Sequence, residues 1–297
     1  MSRADAIRFG PAGNSISFYE QGYTATLQAF EWVNAMGLNA FEYSFGRGVT
    51  LGEATAEAIG AEAARWGVAV SAHAPYYINL ANPDPDKREN SFRYMVNSAR
   101  VLRLMGGSRV VVHVGSAAGM DRAEAIGRCN DGLLEALTRL DDAGLAGITL
   151  CVETMGKHSQ IGNLEETLAF CSLDCRLTPC IDFAHLHALG AGSLAGPEAF
   201  AAVLDRVEEA LGPERARRMH IHFSTIEFTK AGERRHRTFA EEGYGPRFEH
   251  LAPLLVERDY RPVVICESKG TMAEDAAAMR AMYNQALAAQ QETLPAQ

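Results

Sequence analysis

Several features are missing from the sequence, and each absence narrows what the chain does. No stretch of about 18 consecutive apolar residues occurs, so no transmembrane helix and no membrane partner are expected. The opening residues, MSRADAIRFGPAG, have no long apolar core of the signal-peptide kind, which points to a cytoplasmic protein. None of the six cysteines (Cys129, Cys151, Cys171, Cys175, Cys180, Cys266) forms a CxxC pair. Cys151, Cys180 and Cys266 lie inside apolar runs, so buried free thiols in a reducing compartment are expected. No glycine-rich dinucleotide fingerprint follows a strand. No linker, low-complexity tract or charge block divides the chain. A surplus of cations is also missing: the net charge is −9. Taken alone, that argues against a nonspecific nucleic-acid coat, though not against a local nucleic-acid site.

What is present is a regular alternation. The apolar, β-rich runs AIRFG, AFEYS, VAVSAHA, RVVVHVG, ITLCVET, TPCIDFA, RMHIHFS and PVVICES are separated by amphipathic, alanine-rich segments. They recur at roughly 30–45-residue intervals, the length of a βα unit. Several helical segments end at glycine, as helix C-termini often do. Eight such units predict an α/β TIM (β/α)8 barrel, with an open doubly wound sheet as the alternative. The whole chain, 1–297, reads as one barrel domain, with a frayed tail from about residue 286.

Ligand-type side chains recur where the strands run out: His73, His113, Glu153, Asp182, His185, His220 and Glu267, with His236 in a following loop. In a closed barrel the C-terminal strand ends share one face, so these sequence-distant groups converge there. Imidazole and carboxylate suit zinc, manganese and iron alike. A single strand-end histidine is ordinarily a hydrogen-bonded core residue. A carboxylate ending an apolar strand has a desolvation cost of several kcal/mol unless it is paired or metal-bound. Together, the set predicts a metal cluster at the barrel mouth. In MHIHFS, His220 and His222 lie on the same side of the strand.

Other residues are assigned by their surroundings. Tyr76 and Tyr77, in HAPYYINLANP, are either packed beneath their loop or exposed for stacking on a base or wedging into a duplex. The loop TKAGERRHR carries Lys230, Arg234, Arg235 and Arg237 against Glu233, and is either solvated or a phosphate contact. Asn79 and Asn82 read as turn-formers. His158 and His187 read as solvent-facing or supporting groups, and His250 as surface. Gly10-Pro11-Ala12-Gly13-Asn14 reads as a turn near the mouth.

The stretches AHAPYYINLANP, VVVHVGSAAG, CVETMGKHSQIGN, CIDFAHLHALGAG, MHIHFS and VVICES, in this order and spacing, resemble the endonuclease IV family of apurinic/apyrimidinic endonucleases. That resemblance implies a βα barrel with three zinc ions that hydrolyses damaged double-stranded DNA on the 5′ side of an abasic site. It implies one zinc held by His73, His113 and Glu153, and a second sharing Glu153 with Asp182, His220 and Glu267. A third would use His185, His236 and one further acid. Glu153 would be the catalytic carboxylate that reaches two ions and their bridging hydroxide. Tyr76, Tyr77, His222, Lys230, Arg234 and Arg235 would contact substrate. The chain departs from the family where an Asp is expected two residues before His236: that position is Arg234, and Glu233, one residue further back, is the substitute. Phe223 and Ser224 also replace the family's usual Asn-Asp pair. The alternatives are a single-metal sugar isomerase or epimerase of the related xylose-isomerase-like barrels, with Mn²⁺ as its metal, and a metal-binding barrel that holds damaged DNA without efficient cleavage. No protein partner is indicated.

Overall fold

A computed structural model describes residues 6–117 and 119–293. Eight strands form one parallel sheet: β1 (Arg8–Pro11), β2 (Ala40–Ser44), β3 (Ala69–His73), β4 (Arg109–Val112), β5 (Thr149–Glu153), β6 (Leu177–Asp182), β7 (His220–Phe223) and, after a hairpin, β10 (Val263–Cys266). The strand order is β1-β10-β7-β6-β5-β4-β3-β2. A parallel bridge from Ala12 to Glu42 brings the two edge strands together, so the sheet forms a nearly closed barrel. Helices fill the intervals between strands, as the TIM barrel expectation requires. Because both faces of a parallel sheet are covered, the strands are apolar runs rather than alternating ones.

Each strand presents alternate residues to the barrel interior and to the helix layer. Met219, Ile221 and Phe223 join the main apolar core, whereas Val111, Cys151 and Cys180 form a small separate cluster. Gly10 lies within β1 rather than in a turn. A Cβ there would meet the Ala40 carbonyl oxygen at 1.9 Å, so only glycine lets β1 approach β2 so closely. Asn79 and Asn82 do form turns, accepting from the backbone N–H groups of Ala81 and Asp84 at 3.1 Å each. Five cysteines are buried thiols and Cys175 is exposed.

Two expectations change. TKAGERRHR is not an open loop: β8 (Thr225–Thr229) and β9 (Gly232–Arg237) form an antiparallel hairpin. The segment Met272–Thr293 is helical through the residues where fraying was expected, and residues 294–297 lie outside those described. Among the described residues, no helix is long and apolar enough to cross a membrane.

Candidate metal centre

The strand ends surround a cleft of about 710 Å³ lined by His73, His113, Glu153, His185, His236 and Glu267 among others. Glu153 closes β5 and is buried. Its Oε2 lies 2.7 Å from His113 Nε2 and accepts from His73 Nε2 at 3.1 Å. Its Oε1 lies 3.1 Å from His222 Nδ1. One carboxylate therefore addresses two separate groups of nitrogens. Potential ligand atoms fall into four compact sets: His73, His113 and Glu153; Glu153, Asp182, His222 and Glu267; Asp182, His185 and His236; and, fully buried, Cys180, His220 and His222.

The local sequence fixes these poses. Asp182 ends β6 and caps the helix Phe183–Leu189, its Oδ1 accepting from the His185 N–H at 2.8 Å. Its other oxygen, Oδ2, is buried with no hydrogen-bond partner among the described residues. His185 Nδ1 stands 3.5 Å from it, an ion-pair contact short of a hydrogen bond, and a buried carboxylate oxygen without a hydrogen bond is costly unless a cation faces it. His73 Nδ1 donates to the Ala74 carbonyl at 2.8 Å, and His185 Nδ1 to the Thr154 carbonyl at 2.9 Å. His236 Nδ1 is 2.7 Å from Ser224 Oγ. In all three rings the other nitrogen, Nε2, faces a carboxylate of the cleft (Glu153, Glu233 and Glu267 respectively), the pose in which protein partners orient metal-binding histidines. This donor set, with its orphaned oxygen, fits zinc or a similar divalent ion.

Burial pulls the His73 imidazole down, but the hydrogen bond to Glu153 and the charges of Glu153, Glu42 and Glu267 prevail and hold it at about 9. Burial likewise opposes the His185 cation, and Asp182, Glu153, Glu233 and Glu267 carry it to about 9. Burial would raise the Glu153 carboxyl, yet the charges and hydrogen bonds of His113 and His222 keep it well below the usual range. At pH 7, without an ion, His73 and His185 are thus held as imidazolium against carboxylate; the stability their raised values contribute is fully present below about 6.5 and is lost as pH rises through about 9. A metal ion needs neutral imidazole, so uptake must expel protons. Zinc added at pH 7 in weak buffer is expected to acidify the solution, and its affinity to rise with pH and level off near 9. Dye-monitored proton release checks this, and uptake without release contradicts it.

The two β7 histidines sit at different depths, and both are fully buried. His222, expected to touch substrate, is fully buried beneath the carboxylates, with Nδ1 3.1 Å from Glu153 and 3.3 Å from Glu267. His220, expected as a ligand, lies one step deeper, with Nε2 3.0 Å from Glu42 Oε2. Its imidazole is lowered to about 4, because burial outweighs the pull of Glu42. Two residues span about 7 Å along the strand, which sets His220 deeper in the barrel than His222. His187 is also buried, its Nδ1 accepting from the Leu194 N–H at 3.2 Å, while His158 is exposed and His250 half-buried.

The hairpin resolves the departure at Arg234. Its register shifts between Glu227 and Phe228: Glu227 pairs with Arg235, and Phe228 with Glu233. Arg234 is the extra residue of a bulge. In a regular strand Glu233 and His236, three apart, would face opposite ways, and the inserted residue brings both to the cleft. Glu233 Oε2 then stands 3.5 Å from His185 Nε2, while Arg234 is exposed and pairs with Glu227. Arg234, Arg235 and Arg237 all pair with Glu227. Arg234 and Arg235 still line the cleft, as do Tyr76 and two cations not singled out in the sequence, Lys157 and Lys269; Lys230 sits exposed at the hairpin tip. Tyr76 and Tyr77 are half exposed, with ring centroids 4.4 Å apart.

Gly156 makes room for this arrangement. A Cβ there would meet Glu233 Cβ at 2.7 Å and His185 Cδ2 at 2.9 Å. Gly156→Ala is expected to push Glu233 out, lower stability by about 1–3 kcal/mol, and weaken ion binding at His185 before the other groups. Stepwise metal titration with a melting curve checks this, and an unchanged titration contradicts it.

Residues 30–285 match the model of a family described as a xylose isomerase-like TIM barrel. An uncharacterised protein of Methanocaldococcus jannaschii is 33% identical over 287 residues, covering 96% of this chain and 100% of that protein. A probable endonuclease 4 of Acholeplasma laidlawii is 35% identical over 126 residues, 41% of this chain and 42% of that protein, so this match spans less than half of either. Among solved structures, endonuclease IV of Thermus thermophilus superposes with a TM-score of 0.69 at 24% identity, covering 95% of this chain and 99% of that one. A D-tagatose 3-epimerase-like protein superposes with a TM-score of 0.71 at 16% identity, covering 96% and 99%. The structural likenesses, at these identities, speak to the fold alone. On the family match the chain belongs to the xylose isomerase-like TIM barrels, and it has relatives among the endonuclease 4 proteins.

Proposed function

We propose that the protein is a zinc-dependent phosphodiesterase that cleaves DNA on the 5′ side of abasic sites. The observation that carries this reading is the split engagement of Glu153: Oε2 toward His73 and His113, Oε1 toward His222. A site for one ion has no need of the first pair, whereas a site for two needs a carboxylate placed in this way. His73, His113 and Glu153 would hold one ion, and Glu153, Asp182, His222 and Glu267 a second. Asp182, His185, His236 and Glu233 would hold a third. Ions bound there supply a nucleophile at neutral pH and positive charge against the departing oxygen.

The chain's own residues do the rest. The buried carboxylates and orienting carbonyls hold the imidazoles in place before substrate arrives, so little reorganisation remains at the moment of reaction. Tyr76 and Tyr77 present aromatic faces at the rim, suited to stacking against bases flanking a site that has none. Arg234, Arg235, Lys157 and Lys269 offer cations to the phosphate backbone at the cleft, a local exception to the chain's acidic balance. An abasic sugar has no base to unstack, so drawing it into the cleft costs less than extruding an intact nucleotide. The expected assay result is chelator-sensitive nicking of an abasic duplex, restored by zinc.

A second reading, a single-metal sugar isomerase or epimerase, draws on a specific observation. Glu153, Asp182, His222 and Glu267 form a complete quartet by themselves, and Glu227 already engages Arg234 and Arg235. Turnover of ketoses with Mn²⁺, without nicking, would favour it. Tight binding of abasic DNA without cleavage would favour a barrel that only holds the lesion.

A further inference from the structure

A buried acid that the sequence reading passed over lies directly beneath this site. Glu42, in the middle of β2, is 1% exposed. Its Oε2 accepts from Ser71 Oγ at 2.8 Å and lies 3.0 Å from His220 Nε2. Its Oε1 stands 3.0 Å from His222 Nε2. The geometry of this last pair is off the hydrogen-bond line, and neither atom has a hydrogen-bond partner among the described residues. Two buried polar atoms at that distance, neither with a hydrogen bond, are placed to satisfy one another, and a small rotation of the ring brings the N–H onto the oxygen; the Cys180 thiol is the other polar group beside the His220 and His222 rings. The opposite nitrogen of the same ring, Nδ1, faces Glu153 and Glu267.

We propose that Glu42 is the positioning residue for His222, its carboxylate holding the ring with Nε2–H directed inward so that Nδ1 is the nitrogen presented to a metal ion. The inference rests on the metal reading of the mouth. His73 and His185 are oriented by neutral backbone carbonyls. His222, the deepest of these three rings and 0% exposed, has a full carboxylate behind it. A carboxylate behind a ligating imidazole fixes its tautomer and makes the facing nitrogen a stronger donor. Ser71 and His220 in turn anchor the other Glu42 oxygen, so the acid cannot swing away. His220 thereby gains a role on this side of the barrel, two steps removed from any ion.

The test uses the whole protein, loaded with zinc. Nitrogen-15 NMR of the wild type should show His222 with Nε2 protonated and Nδ1 bound. Glu42→Gln, which keeps the shape and loses the charge, should bind zinc about 10–100-fold more weakly in competition with a chromophoric chelator. Cobalt substituted for zinc should report an altered ligand field in that variant. Ligation of His222 through Nε2, or an unchanged zinc affinity and cobalt spectrum in a folded Glu42→Gln protein, would overturn the inference while leaving the metal reading intact. Failure of the wild type to bind zinc would overturn both. If Glu42→Gln does not fold, the wild-type tautomer decides alone.

Discussion

Glu153→Ala is expected to lower chelator-sensitive nicking of an abasic duplex by about a thousandfold or more, the rate equivalent of several kcal/mol of lost charge stabilisation. Among the described residues, its side chain is the group that touches both the His73–His113 pair and His222. Its loss removes a donor from two of the proposed ion positions at once. It also takes from His73 and the buried His222 a carboxylate that raises both imidazoles, a defect that costs about 3–5 kcal/mol before the rings shed their protons. Glu153→Gln separates the two effects, because it preserves volume while removing the charge. Both variants should lose activity, with the glutamine variant closer to the wild type in thermal stability. Residual nicking at wild-type rate in either one, with metal stripped, would reject the mechanism.

The second large effect separates neighbours on one strand. His222→Ala is expected to lower zinc binding and abolish nicking, because it deletes the imidazole from the Glu153, Asp182 and Glu267 group. His220→Ala should retain the zinc and lose stability instead, by about 1–3 kcal/mol, since it leaves the Glu42 oxygen with Ser71 as its remaining partner. Metal analysis and melting curves on the two variants distinguish the roles. Equal loss of metal from both would place His220 back among the ligands.

These two residues also mark where the sequence stopped being readable. The eight barrel strands were legible because each is a short apolar run with β-branched residues between long amphipathic segments, and burial on both faces demands that composition. Alternation in MHIHFS put His220 and His222 on one side, but depth along the barrel axis depends on strand stagger, which no local pattern encodes. Glu42 went unnoticed in AFEYS although the argument used for Glu153 applies to it equally: an ionised acid inside an apolar strand must have partners. The hairpin at TKAGERRHR escaped because β9, GERRHR, carries charges where a sheet would carry β-branched residues, although β8, TIEFT, has the composition of a strand. It is held by tertiary contacts, with the Glu233 N–H donating to the Gly156 carbonyl at 2.8 Å and Ile226 N–H to the Gly245 carbonyl at 2.7 Å. The bulge that turns Glu233 inward follows from that docking, so the compensation for Arg234 could be named from sequence only as a candidate.

The number of ions the mouth grips separates the nuclease from the single-metal isomerase. Metal content per folded chain, measured by elemental mass spectrometry after equilibration with mixed zinc and manganese, should give two or three zinc ions, falling in His222→Ala and in Glu153→Gln. One manganese per chain, or none, with His73 and His113 replaceable by alanine at no cost in metal, would contradict the nuclease reading.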